Sequence, residues 1–318
     1  MKWKKIGRIF NPFDHPSLND YAGYAQSPQA LPLVDRVRIY FSIRKKDQQG
    51  KFTSHILFAD FDKEFKKILQ ISSEPVLEPG KLGAFDEHGI FPFSPLHDGQ
   101  RILAYTCGWS RRVSVSVETS TGLAISTDGG ITFNRLGDGP IMSSSLHEPF
   151  LVGDSFVRKY SNRYHMWYIF GTKWVQFDAG ESAERVYKIG YAVSDDGINF
   201  MREGRAIIKD VINADECQAL PTVIRQNGNY HMVFCFRHVR GFRTDKTKSY
   251  RLGYAMSTDL INWDRNDDLL NLPVTENSWD SDMMCYPNLF EWQGRTYLLY
   301  NGNEFGKYGF GLAVLDEN

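Results

Sequence analysis

Apolar and polar positions follow one short pattern five times along the chain. A basic or amide residue opens each copy, mostly apolar residues follow, and an aromatic closes it. The copies are RVRIYF (36–41), QRILAY (100–105), RYHMWY (163–168), NYHMVF (229–234) and RTYLLY (295–300). The closing aromatics Phe41, Tyr105, Tyr168, Phe234 and Tyr300 are separated by 64, 63, 66 and 66 residues. A near-constant period over a whole chain is the mark of one supersecondary unit copied around an axis or along a line.

A second apolar run follows each copy: SHILFAD (54–60), GLAIS (122–126), IGYAVS (189–194), LGYAMS (252–257) and FGLAV (310–314). Three of these enter a turn that ends on an aromatic, at Phe133, Phe200 and Trp263. Asp-Gly in two of those turns supplies the positive φ that a tight hairpin needs. A third, outer strand is predicted to start at Phe133 and at Phe200. Upstream, a proline stands thirteen residues before four of the five aromatics, at Pro28, Pro92, Pro221 and Pro287; Ser155 stands there in the third copy. Proline is tolerated at a strand's start or where the ladder has no partner.

Each unit therefore reads as four antiparallel strands, and the chain as an all-β, five-bladed β-propeller forming one domain over 1–318. The blades are expected at approximately 11–80, 81–142, 143–210, 211–274, and 275–318 plus 1–10. A linear solenoid is the alternative. The fifth unit lacks an outer strand, and residues 3–10 resemble one. The N-terminal strand is expected to complete the last blade and close the ring, which removes an exposed sheet edge.

Composition adds limits. Hydrophobic residues make up 42% and aromatics 14% of 318 residues, which suits an all-β core, and the net charge of −1 gives no global signal for nucleic acid or membrane. No apolar run reaches transmembrane length. The first residues, Met1-Lys-Trp-Lys-Lys, lack the apolar core of a signal peptide. Cys107, Cys217, Cys235 and Cys285 show no CxxC spacing and read as buried free thiols. The expectation is a cytoplasmic protein with no metal, no cofactor, no membrane span and no nucleic-acid partner.

In a propeller, the loop entering a blade's first strand and the loop joining its second and third strands share one face, and ligands bind where they meet the channel. The entering loops are acidic. Counted back from the closing aromatic, Glu87, Glu216 and Asp282 fall at minus eighteen, Asp86 and Asp215 at minus nineteen, and Glu148 at minus twenty. Acids in turns are often merely solvated. A shared register would bring these together at the channel mouth, where like charges separate pKa values into an acid and a base. The joining loops are basic and aromatic, holding Arg44, Trp109, Arg111, Arg112, Lys173, Trp174, Arg237 and His238, with Asn301 and Asn303 in the last blade. Trp faces suit sugar rings, Asn amides suit hydroxyls, and Arg pairs suit phosphate or carboxylate. The expected partner is a small sugar or sugar phosphate. Neutralising the acids opposite is the other reading of these bases, and His238 has both a structural and a binding reading.

The segment FDEHGIFP (85–92), the Ala-x-Ser-x-Asp-Gly hairpins at 124–133 and 192–200, and Glu216-Cys217 together resemble the five-bladed glycosidase superfamily, glycoside hydrolase families 43, 32 and 130 among its members. The segments GWSRR (108–112), WDSD (279–282) and NGNEFG (301–306) resemble an uncharacterised branch linked to bacterial surface-polysaccharide biosynthesis. The resemblance implies a glycoside-active enzyme: Glu216 as general acid, Glu148 at the position of the acid that tunes pKa, and a base or nucleophile from blade one. That last acid is missing; Gln26 and Gln29 stand in its region. Asp86, Glu87 or Asp282 would supply the base instead, with Gln26, His88 and the aromatic and basic residues above binding substrate. On this reading Glu216→Gln abolishes turnover with folding intact. Alternatively the acceptor is phosphate or another sugar, as in a phosphorylase or transferase acting on a phosphorylated or nucleotide-activated sugar. A non-catalytic sugar-binding propeller is the remaining alternative.

Overall fold

The structure, a computed structural model, describes residues 2–316. Its first strand, β1 (Trp3–Phe10), belongs to the last blade. Blade one holds β2 (Gln26–Pro32), β3 (Val37–Lys46), β4 (Phe52–Phe61) and β5 (Ile68–Ile71). Blade two holds β6 (Ile90–Asp98), β7 (Arg101–Arg111), β8 (Val117–Ser126) and β9 (Asn134–Arg135). Blade three holds β10 (Val152–Tyr160), β11 (Arg163–Val175), β12 (Glu184–Ser194) and β13 (Met201–Arg202). Blade four holds β14 (Cys217–Gln226), β15 (Asn229–Arg237), β16 (Arg251–Ser257) and β17 (Asp264–Arg265). Blade five holds β18 (Cys285–Trp292), β19 (Arg295–Asn301) and β20 (Phe310–Leu315). Each blade is a four-stranded antiparallel meander, and the fifth runs β1-β20-β19-β18.

The innermost strands β2, β6, β10, β14 and β18 pack against one another around the axis. The expected closure is present: β1 pairs antiparallel with β20, Lys4 opposite Val314. Closure lets the N-terminal strand cover the one edge that a five-unit array would leave open.

The closing aromatics are all buried, none more than 1% exposed. Large aromatics at one register fill the space between neighbouring sheets, and some also tie blades together. The Tyr105 hydroxyl donates to the Gly197 carbonyl at 3.0 Å, and in blade one Tyr40, the residue before the closing Phe41, donates to the Gly130 carbonyl at 2.6 Å, each reaching the turn of the next blade. Those turns are held from within. Asp196 accepts from the amides of Ile198 and Asn199, both at 2.8 Å, which keeps its carboxyl well below the usual range. No described helix is long and apolar enough to cross a membrane. The four cysteines are free and buried.

The upstream prolines mark something more specific than a strand start. Each inner strand breaks register with its neighbour at this point, between Gln26 and Gln29, Ile90 and Phe93, Gly153 and Phe156, Ala219 and Thr222, and Cys285 and Asn288. A bulge frees a residue from the ladder and re-aims it. The residue before the proline position has positive φ in four blades: Ser27 (51°), Asp154 (50°), Leu220 (47°) and Tyr286 (56°); in blade two the Phe91–Pro92 peptide is cis.

Candidate active site

A cavity of about 600 Å³ opens on one face of the channel and draws on all five blades. Phe91, Asp154 and Tyr286, three of the five bulge residues, line it. Trp109, Tyr187 and Tyr250 add aromatic surface, and Arg44, Arg185, Arg237, Arg243 and Lys246 add positive charge. The acids lining it are Asp154, Asp282 and Glu304. Only Asp154 is buried, at 7% exposure. Asp282 is exposed at the rim, and Glu304 is exposed and paired with Lys307 at 2.8 Å.

Asp154 sits where β10 bulges, so its side chain leaves the sheet for the channel. Its φ of 50° lies in the left-handed region, which Asp and Asn enter more readily than other residues with a Cβ. Burial pushes its carboxyl up to about 7, against the opposing pull of the Leu220 amide and the Arg185 charge. A carboxylic acid that holds its proton near neutral pH is suited to donate it.

Arg237 is 1% exposed. Its Nε donates to the Tyr250 hydroxyl at 3.2 Å and Nη1 to the His238 carbonyl at 2.8 Å, while its guanidinium lies 3.5 Å from the centre of the Phe242 ring. Arg44 donates through Nε to Gln26 Oε1 at 3.0 Å and lies 4.5 Å from the Tyr24 ring. Arg185 donates to Ser116 Oγ at 3.4 Å, its one side-chain hydrogen bond among the described residues. Among the described residues none of these three has a carboxylate within ion-pair distance.

The residues expected from sequence divide into two groups. Arg44, Trp109, Arg237 and Asp282 line the cavity. The register acids do not meet there. Asp86 is 1% exposed and pairs with Arg135 on β9 at 2.6 Å. Glu148, fully buried, pairs with Arg202 on β13 at 2.5 Å and accepts from the Tyr168 hydroxyl. Glu216, fully buried, pairs with Arg265 on β17 at 2.5 Å and accepts from the Val211 and Ile212 amides at 2.9 and 3.0 Å. The fifth-blade counterpart is Asp280, paired with Lys5 on β1 at 2.6 Å, so Asp282 is not part of this set. These are repeated buttresses between an entering loop and the outer strand of the same blade. Asp86 fits so closely that a Cβ at Gly80 would come within 2.0 Å of its Oδ1, and one at Gly108 within 2.4 Å of its own Cβ.

Other expected binders are engaged elsewhere. Glu87 accepts from the Gly83 amide at 2.7 Å and lies 3.3 Å from His88 Nδ1; His88 packs 5.6 Å from the Trp109 ring. Arg111 pairs with Asp47, Arg112 with Glu118 and Lys173 with Asp215. Trp174 packs against the core. His238 lends its carbonyl to Arg237. Asn301, fully buried, spans the Ala25 and Gly309 carbonyls, and Asn303 accepts from the Asp282 amide at 2.8 Å. Gln26 positions Arg44 and donates to the Phe305 carbonyl at 2.6 Å.

Sequence reasoning missed Asp154, Arg185, Tyr187, Arg243, Lys246 and Tyr250. For Asp154 a signal was present. Counted back fourteen from the closing aromatics stand Ser27, Phe91, Asp154, Leu220 and Tyr286, and Asp154 is the one acid in that register.

No protein-family model matches the chain. It belongs to the same family as an uncharacterised protein of Mycobacterium tuberculosis, 32% identical over 322 residues and covering 99% of this chain and 100% of that protein. A 1,2-β-oligomannan phosphorylase of Thermoanaerobacter sp. (strain X514) is 33% identical over 95 residues, 29% of this chain and 30% of that one. Among solved structures, a glycoside hydrolase superposes with a TM-score of 0.74 at 16% identity, covering 99% of this chain and 92% of that one. The β-1,2-mannobiose phosphorylase of Listeria innocua superposes with a TM-score of 0.67 at 11% identity, covering 99% and 97%. The shared fold is the five-bladed β-propeller.

Proposed function

We propose that the protein is a glycoside-active enzyme that transfers a glycosyl group to phosphate, with Asp154 as its proton donor. One observation carries this reading: a single buried acid faces a cavity in which Arg44, Arg185 and Arg237 have no carboxylate partner among the described residues. Hydrolysis by a carboxylate pair needs a second acid to activate water or attack carbon. Phosphate is already a nucleophile and needs only a cationic seat. Asp86, Glu148 and Glu216 are held at the outer strands, so the cavity offers one buried donor and cations, with Asp282 and Glu304 exposed, rather than a pair of buried acids.

In the proposed step, Asp154 gives its proton to the departing glycosidic oxygen as that carbon–oxygen bond breaks. A hydrogen phosphate oxygen forms the new bond to the anomeric carbon, and its proton returns to the Asp154 carboxylate. The products are a sugar 1-phosphate and a free hydroxyl. Trp109 offers its face to the sugar ring.

The test is a panel of oligosaccharides incubated with and without inorganic phosphate, followed by phosphorus NMR. Sugar 1-phosphate is expected only with phosphate. Equal release of reducing sugar without phosphate would overturn the reading in favour of hydrolysis. Trp109→Ala is expected to raise KM for the sugar about tenfold with kcat changed far less, because an aromatic platform contributes on the order of 1 kcal/mol to binding. Steady-state kinetics at saturating phosphate check this.

A further inference from the structure

Basic side chains at this face differ in what backs them: Arg243, at the cavity, pairs with Glu184, and Arg185 meets only the Ser116 hydroxyl among the described residues. On the rim, Arg111, Arg112, Lys173 and Arg240 each meet a carboxylate. Inside the cavity, Arg44 and Arg237 are backed only by neutral acceptors: the Gln26 amide oxygen for Arg44, and the Tyr250 hydroxyl with the His238 and Val239 carbonyls for Arg237. A neutral acceptor orients a guanidinium without cancelling its charge. These two arginines stand in blades one and four, which are not neighbours in a five-blade ring.

Gln26 gives this arrangement its meaning. It is 1% exposed and fixed at both ends of its amide, donating to the Phe305 carbonyl at 2.6 Å and accepting from Arg44 Nε at 3.0 Å. A carboxylate at this position would form an ion pair with Arg44 and quench it. An amide leaves the Arg44 guanidinium its charge where the residue lines the cavity, with Tyr24 and Phe52 flanking it at 4.5 and 5.5 Å. Arg237, stacked on Phe242, forms the other such group.

We propose that the cavity holds two anion seats, one at Arg237 for phosphate and one at Arg44 for an acidic group on the sugar itself. The substrate class is an anionic glycoside, bearing a phosphoryl or carboxylate group away from the anomeric carbon. The use of the Arg237 seat by the attacking phosphate rests on the phosphorolytic reading above; the existence of two seats does not.

Equilibrium titration with inorganic phosphate counts the seats without any turnover. Wild type is expected to bind two equivalents, and Arg44→Met and Arg237→Met one each. Gln26→Glu keeps the arginine and adds the quenching carboxylate, and it is also expected to bind one. Glucose 1-phosphate, glucose 1,6-bisphosphate and glucuronic acid 1-phosphate then identify the second group. One of the two dianionic-plus-acidic probes is expected to bind about tenfold more tightly than glucose 1-phosphate, as a charge-assisted hydrogen bond permits, and Gln26→Glu is expected to erase that preference. A single equivalent in wild type, lost in both arginine variants, overturns the proposal and leaves phosphorolysis of a neutral sugar standing. Two equivalents with no preference among the three probes overturn the assignment of the second seat to the sugar. Two equivalents together with phosphate-independent cleavage overturn the phosphorolytic reading and leave the seats.

Discussion

Asp154→Asn is expected to lower turnover roughly a thousandfold, the order of magnitude that a general acid contributes, while making the protein more stable above neutral pH. Asparagine has the same shape and tolerates the φ of 50° at this bulge, so a folding defect is not expected. The carboxyl ionises near 3.8 when solvated and near 7 in the fold. Between those values the unfolded chain has released the proton and the native protein keeps it. Stability therefore falls as pH rises from about 4 to 7 and levels off above. At roughly 1.4 kcal/mol per pH unit, the full loss is up to about 4 kcal/mol. The variant lacks that slope. Urea unfolding at pH 5 and pH 8 measures it, and turnover in the wild type is expected to fall about tenfold per pH unit above 7 as the acid form is depleted. Turnover within tenfold of wild type, or an unchanged stability slope, would remove Asp154 from its assigned role. The trade of stability for an acid kept protonated in a buried site is a familiar one at active sites.

The same ruler that makes the fold readable explains how far the site can be read. A period near 65 residues, closed by Phe41, Tyr105, Tyr168, Phe234 and Tyr300, reports packing between blades, and packing repeats wherever the blade repeats. Chemistry does not repeat. Acids recurring in four entering loops are therefore the signature of a recurring structural need, met by a base on each outer strand: Arg135, Arg202, Arg265 and Lys5. Both halves are visible in the sequence, with each arginine two residues after its turn aromatic and Lys5 two after Trp3. Their pairing was not visible, because Asp86 and Arg135 are 49 positions apart and meet only once the outer strand has folded back. Asp154 inverts the case. It breaks a register otherwise held by Ser27, Phe91, Leu220 and Tyr286, and that departure from the structural repeat at a channel-facing position is what marks it for the proposed proton donor. The prolines of the other four copies were legible as a ladder interruption at this register, where blade three carries Ser155; that the interruption aims the preceding residue inward needed the backbone.

Glu216→Ala is expected to destabilise the protein by about 3 kcal/mol or more, the cost of stranding one member of a buried ion pair, with turnover per folded molecule within a few-fold of wild type. The Arg265 side chain is 2% exposed and would lose its contact at 2.5 Å, keeping Asp267 at 2.9 Å and the Lys209 carbonyl at 2.6 Å. The Val211 and Ile212 amides and the Gln218 side chain would lose their acceptor as well. Replacing both partners, as Glu216→Met with Arg265→Met, is expected to recover much of the loss, because a neutral, packed pair escapes the desolvation that two charges incur. A double-mutant cycle by urea unfolding isolates the coupling, and Asp267, in contact with Arg265, is the neighbour through which non-additivity would enter. Glu216→Gln separates the two roles that the residue could play. It retains an oxygen for the Val211 and Ile212 amides and loses the charge facing Arg265. A buttress gives a folded, less stable, active protein, whereas a proton donor gives a stable and inactive one. That second outcome would return Glu216 to the chemistry and make the cavity carboxyl at Asp154 a secondary group.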